Sequence, residues 1–444
     1  MPTPAPALSE TAAALSIVLI LLVPLAGAGL SLINAGLGRS RSAAHAMMAS
    51  LCIMAVAAIA YFVCGFAWQG FIGGPAHTFA VAGKEWNWIA AERLFLRGLD
   101  FDGSRASLAA WLGMLSVGLA ALIPLGSGAD RWRLGATCAS TAILAGLTYP
   151  LFAHWVWGNG WLASLGANYG LGRGFVDAGG SSSIQAVGGL TALSVAWILG
   201  PRRGKYTHEG IPTAIPGHNS VLVMFACLLA LMGWMGLNSA GAILFTGAEP
   251  GRVALIAINT TLAATSAALA SALITRQRFG KPDASLTANG WVGGLAASSA
   301  ACALVTPAAA VIIGLVAGTL VTLGVELIES RLGIDDPGGA VSVHGVCGIW
   351  GVMAVGVFAH FPGALNAVAA TSNEDSRQWL AQLVGVATLL GFVLPMSYGL
   401  NWLLNRFYPQ RVAVEGERQG MDLYELGAGA YPEFLTHTDE FTQR

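Results

Sequence analysis

The 444-residue chain is 55% hydrophobic and only 10% charged, with a formal net charge of -1. So little charge cannot coat a soluble surface of this size, where about a quarter of residues normally carry one. The near-neutral balance offers nothing to a nucleic-acid partner, and the solvent for most of the chain is a lipid bilayer.

Apolar windows of about twenty residues fall, in chain order, at 11–36, 43–69, 105–128, 134–157, 181–200 and 217–240, then at 252–275, 284–304, 307–328, 341–360 and 379–405. These eleven spans predict a transmembrane domain over 1–406, followed by a polar tail over 407–444 that is too short for a core of its own. An odd number of spans places the termini on opposite sides. With the N-terminus outside, fifteen Lys and Arg fall on the inner side, Arg444 among them, and seven on the outer side. This bias predicts N-out and C-in. MPTPAPALSE at the N-terminus lacks a basic signal-peptide start, so the first span is expected to be retained.

Between the second and third spans, Phe71 to Asp102 reads as an outer connection without evident chemistry. Cys52, Cys64, Cys138, Cys227, Cys302 and Cys347 all lie within spans, where thiols act as small apolar fillers. HWVWGNGW (154–161) closes the fourth span with Trp155, Trp157 and Trp161. These suit an interfacial belt, or one indole faces the pore mouth and attracts a cation at about 0.5–2 kcal/mol.

A repeat organises the chain. DAGGSSSIQAVGG (177–189) and DPGGAVSVHGVCG (336–348) share six of thirteen positions in register. They open the fifth and tenth spans, so the halves at about 11–200 and 217–360 cross the membrane in opposite senses. That layout places a site near the midplane where the halves meet. The expected fold is therefore an all-α integral membrane protein: an inverted 5+5 repeat of transmembrane helices plus a final helix at about 379–405. In this register His344 falls opposite Gln185. A histidine in a membrane helix marks either a functional site or a helix-to-helix hydrogen bond, and Gln185 can hydrogen-bond but cannot titrate. Asp177 either caps the fifth helix or lowers the cost of a nearby cation. Asn238 is expected to be satisfied by a neighbouring helix. No phosphate loop, metal cluster or nucleophile–base arrangement appears, so neither an enzyme nor a cofactor is expected.

GAVSVHGVCGIWG (339–351), YPLFAHWVWGNGW (149–161), GWMGLNSAG (233–241), INTTLAA (258–264), GKP (280–282) and GMDLYELGAGAY (420–431) resemble the ammonium transporter (Amt/Rh) family, in order from about residue 11 to 431. The resemblance implies an eleven-helix homotrimer in a bacterial inner membrane, with one pore per subunit for ammonium or ammonia. It puts the second pore histidine on His344, the outer-mouth tryptophan on Trp157 and the structural aspartate near the recruitment site on Asp177. Asp422, Gly427, Ala430 and Tyr431 fit the tail motif that couples subunits and meets a PII-type regulatory protein, although Leu426 replaces a usual histidine. The pore departs from the pattern. Gln185 stands for the first pore histidine, Ser116 and Leu237 for the two gate phenylalanines, and Gly241 for an outer-site serine, a position that one residue of slippage in NSAGA would change. The reading is a transporter with altered or weakened conduction. A sensor with little flux and a channel for another small neutral molecule are the alternatives.

Overall fold

A computed structural model describes residues 7–361 and 377–431. Arg444, counted above on the inner side, lies outside them, as do the first six residues. Among the described residues the eleven long helices are α1 Glu10–Leu37, α2 Ser40–Gln69, α3 Arg105–Gly128, α4 Leu134–Trp157, α5 Ser181–Leu199, α6 Ser220–Thr246, α7 Pro250–Phe279, α8 Ala284–Ser298, α9 Pro307–Arg331, α10 Val341–Phe358 and α11 Gln378–Phe407. Among the described residues ten are long and apolar enough to cross a membrane. The exception is α8, of 15 residues; turns follow it where the hydropathy pattern runs on to 304.

Helix starts are written in the sequence. Ser9 accepts from Ala12 N, Ser104 from Ser107 N, Asn219 from Leu222 N, Asp283 from Leu286 N and Thr306 from Ala309 N. Each supplies an oxygen to a backbone N–H that has no partner within its own helix.

The connection between α2 and α3 is more structured than its sequence implies. It forms an antiparallel hairpin of β1 Ala76–Val81 and β2 Lys84–Ala90. Trp86 and Trp88, two residues apart, share one face of β2. Trp86 stacks on Trp161 at 5.2 Å and Trp88 lies 5.0 Å from Trp155. This aromatic layer seats the hairpin on the end of α4.

The inverted repeat is visible atom by atom. Asp177 Oδ1 accepts from Gly180 N and Ser181 N, while Oδ2 accepts from Ser182 N, Ser182 Oγ and Ser183 N. Asp336 does the same for α10, accepting from Ala340 N, Val341 N and Ser127 Oγ. Both helices open with a widened π turn, Ser181–Ala186 and Val341–Val346. They then cross reciprocally: a Cβ on Gly189 would strike the backbone of Gly345, and one on Gly348 would lie 2.8 Å from Ala186 N. Small residues bring the two backbones into contact at the centre of the bundle.

Candidate conduction site

The crossing of α5 and α10 brings Gln185 and His344 together. The His344 Nδ1 to Gln185 Oε1 distance is 2.7 Å. A carbonyl oxygen only accepts, so in this arrangement Nδ1 carries the hydrogen and donates it. Gln185 Nε2 is buried and has no hydrogen-bond partner among the described residues. A widened turn is a common device for turning a side chain out of the helical ladder at a working site, and here it carries both residues.

Toward the face opposite the C-terminal tail, the end of α4 presents Trp157, whose indole N–H donates to Asp177 O at 2.7 Å. One face of this indole is covered by Phe245 of α6, with ring centres 4.3 Å apart and planes 7° from parallel. Trp157, Phe245 and Asp177 line a cavity of about 610 Å³ that opens on this face. Trp155 and Trp161 instead hold the hairpin. Burial pushes the Asp177 carboxyl above its usual range, while Ser182 and the backbone donors pull it back.

The four positions that depart from the family's pore pattern, Gln185, Ser116, Leu237 and Gly241, are all buried. Ser116 of α3 has a buried hydroxyl that lies beside the buried Tyr149 hydroxyl of α4. Leu237 of α6 is packed in the core. Gly241 is a backbone contact point, because a Cβ there would lie 2.5 Å from Ala178 O on the loop that follows Asp177. Ser239, two residues earlier, has a buried hydroxyl with no hydrogen-bond partner among the described residues. Asn238 Nδ2 donates to Thr260 Oγ1 of α7 at 3.0 Å.

On the tail face, Arg202 donates through Nε and Nη2 to both oxygens of Asp335, at 2.9 and 3.0 Å, and through Nη1 to Asp130 at 3.1 Å. Burial alone would raise the Asp335 carboxyl, but Arg202 and Arg131 outweigh it and hold it below its usual range. Desolvation lowers the wholly buried Arg131 to about 10. The tail lies against this face. Asp422 accepts from Ala44 N and His45 N at the start of α2, and Gly427 makes its turn at φ 72°. The Tyr431 hydroxyl lies 3.0 Å from His218 Nε2. Glu425, which the motif reading passed over, pairs with His45 at 2.9 Å and caps α4 by accepting from Leu134 N. Phe245 was passed over too, since its partner Trp157 is 88 residues away and no periodicity links them.

Two helical halves of opposite sense, crossing at a buried polar pair beneath an aromatic-lined cavity, define a membrane protein of the inverted-repeat class. A profile described as Ammonium Transporter Family matches residues 14–431, and the chain belongs to that family. It is 36% identical over 410 residues to the ammonium transporter Amt2 of Archaeoglobus fulgidus, covering 89% of this chain and 83% of that one. A putative ammonium transporter of Synechocystis is 36% identical over 313 residues, covering 69% and 65%. Among solved structures, a protein titled Sensor Amt Protein superposes with a TM-score of 0.82 at 26% identity, covering 94% and 98%. Mep2 of Candida albicans, at 23% identity, shares the fold with a TM-score of 0.79, covering 96% and 92%.

Proposed function

We propose that the protein passes ammonium or ammonia along a route from the Trp157 mouth to His344 and Gln185, with charge transfer weakened because only one member of the pair titrates. The observation that carries this reading is the His344–Gln185 hydrogen bond at the crossing of the two halves. Asp177, Ser116, Leu237 and Gly241 belong to the same route, Asp177 as the cap that fixes its wall. One imidazole can hand a proton on only if its neighbour can receive it, and an amide does not titrate. The working form is a homotrimer in a bacterial inner membrane with one pore per subunit. The transmembrane domain occupies 1–406 and the cytoplasmic tail 407–444, with the hairpin face outside. The test is ammonium-driven current and internal pH change in proteoliposomes; robust, saturable current from the natural sequence would overturn the weakened-transfer reading.

A second reading, a sensor with little flux, is favoured by an altered pore beside a docked tail in which Asp422, Gly427 and Tyr431 keep the motif. Binding of a PII-type protein, with and without residues 420–431, addresses it; indifference to the deletion counts against it. Uptake of methylamine compared with carbon dioxide or water separates both readings from a channel for another neutral molecule.

A further inference from the structure

We propose that Phe245, rather than Trp157, presents the aromatic face on which a cation docks at the mouth, with Trp157 as the ring that backs it. The proposal rests on the reading of this route as one for ammonium or ammonia, and it names the contact residue at the entrance.

A cation is drawn to an aromatic ring over its face, within about 6 Å of the ring centre. Trp157 has no open face to offer. It is 3% exposed, its indole N–H is tied to Asp177 O, and Phe245 lies flat against it with ring centres 4.3 Å apart. Rings in contact leave no room for a guest between them, since each would need its own separation of about 3.5–4 Å. Phe245 is placed differently. It is part-exposed, rests one face on the indole and lines the cavity of about 610 Å³, so the face turned away from Trp157 is the one a guest meets. The carbonyls just before it, Ile243 O and Leu244 O, accept from the Arg105 guanidinium of α3, and Gly247 closes α6 at φ 69°. Both rings are thus anchored through groups outside the stack.

Net charge does not decide the docking. Among the described residues the charged side chains lining the cavity, Arg173, Arg252, Asp177 and Glu249, sum to zero, and five donors at the start of α5 answer the Asp177 carboxylate. What distinguishes a cation from a neutral guest at contact range is then the ring face. Ser116 and Leu237, at the two gate positions, are buried and carry no π face. Phe245 supplies one from two turns further along α6 than Leu237.

The experiment uses the full-length protein in proteoliposomes and reads the methylammonium concentration for half-maximal uptake. Phe245→Leu keeps bulk over the indole and removes the π face, so this concentration should rise about two- to fivefold. Phe245→Tyr, which keeps a ring face, should recover what leucine loses. The rise should persist at an ionic strength of about 1 M, where the Debye length is about 3 Å and distant charges are screened. A second series replaces Phe245 by fluorinated phenylalanines, which hold the ring's shape while draining the negative potential of its face; the half-maximal concentration should climb with each added fluorine. An unchanged or lower value in Phe245→Leu overturns the proposal, and a lower one shows that the uncovered indole is the docking face. Failure of tyrosine to rescue, loss of the effect at high salt, or indifference to fluorination overturns it too. If the natural protein conducts nothing, the transport reading fails separately. The methylammonium concentration that gives half the thermal shift of purified protein then reads docking without flux, and no change across these substitutions overturns the proposal.

Discussion

His344 Nδ1 lies 2.7 Å from Gln185 Oε1, at positions that the inverted repeat makes equivalent. The backbone on either side is held by matching aspartate caps, so a ring at position 185 would inherit a prepared place rather than disturb the bundle. Gln185→His should therefore raise ammonium-driven current. The gain expected is about a hundredfold, the low end of what a positioned proton-transfer group contributes. Solid-supported-membrane current from equal amounts of reconstituted protein checks it, and a silent variant would place the block elsewhere on the route.

The two caps are not equally loaded. Asp177 takes five donors and Asp336 three. Truncation leaves buried donors unpaired at about 1–3 kcal/mol each, partly relieved by relaxation and water. Asp177→Ala should lower the thermal midpoint in detergent clearly more than Asp336→Ala, and Asp177→Asn should recover part of the loss. Equal shifts would mean that the donors on α5 find other partners.

Acid should act on the other face. Because Arg202 and Arg131 hold the folded Asp335 carboxyl below the usual range, its contribution to stability is complete above the unfolded value of about 3.9 and is lost as pH falls through the lower folded value. Between pH 8 and 5 this group should leave stability flat. Asp335→Asn should cost about 3–5 kcal/mol at neutral pH, since it strands buried guanidinium groups. It should also flatten the decline below pH 4, as read by denaturation at matched ionic strength.

The sequence carries the span pattern well because lipid demands long apolar helices, and α8 blurs only where a Gly- and Ala-rich helix ends six residues early. The repeat register alone pairs His344 with Gln185, since equal spacing from Asp336 and Asp177 survives folding. What the sequence does not display are contacts made by chain segments far apart. Phe245 on Trp157, Tyr149 beside Ser116, and Arg173 with Arg252 in one cavity follow no period, and the hairpin is hidden because its strands rest on tryptophans of another element. Gly241 shows the opposite limit. Read as a lost hydroxyl, it is the point where α6 needs no side chain at all, against Ala178 O.

The tail should be releasable by two single changes that leave the bundle intact. Asp422 caps α2 through Ala44 N and His45 N, and Glu425 bridges His45 and Leu134 N. Each therefore exchanges a bond to water for a charge-assisted bond to a helix N-terminus, worth about 0.5–2 kcal/mol. Burial would raise the Glu425 carboxyl, but His45 and Leu134 N outweigh it and hold it below the usual range, so its share of docking is present above about pH 4.3 and fades below it. Arg418 is exposed beside these contacts, and trypsin cuts there only when the surrounding backbone opens. Asp422→Ala and Glu425→Gln should each speed cleavage at Arg418 by about three- to tenfold at neutral pH, and their combination by more. The thermal midpoint of the membrane bundle should stay within the range of surface substitutions. Cleavage at the natural rate in both variants would show that the tail is held instead by Glu417, which accepts from Arg203 N and Arg411 Nη2.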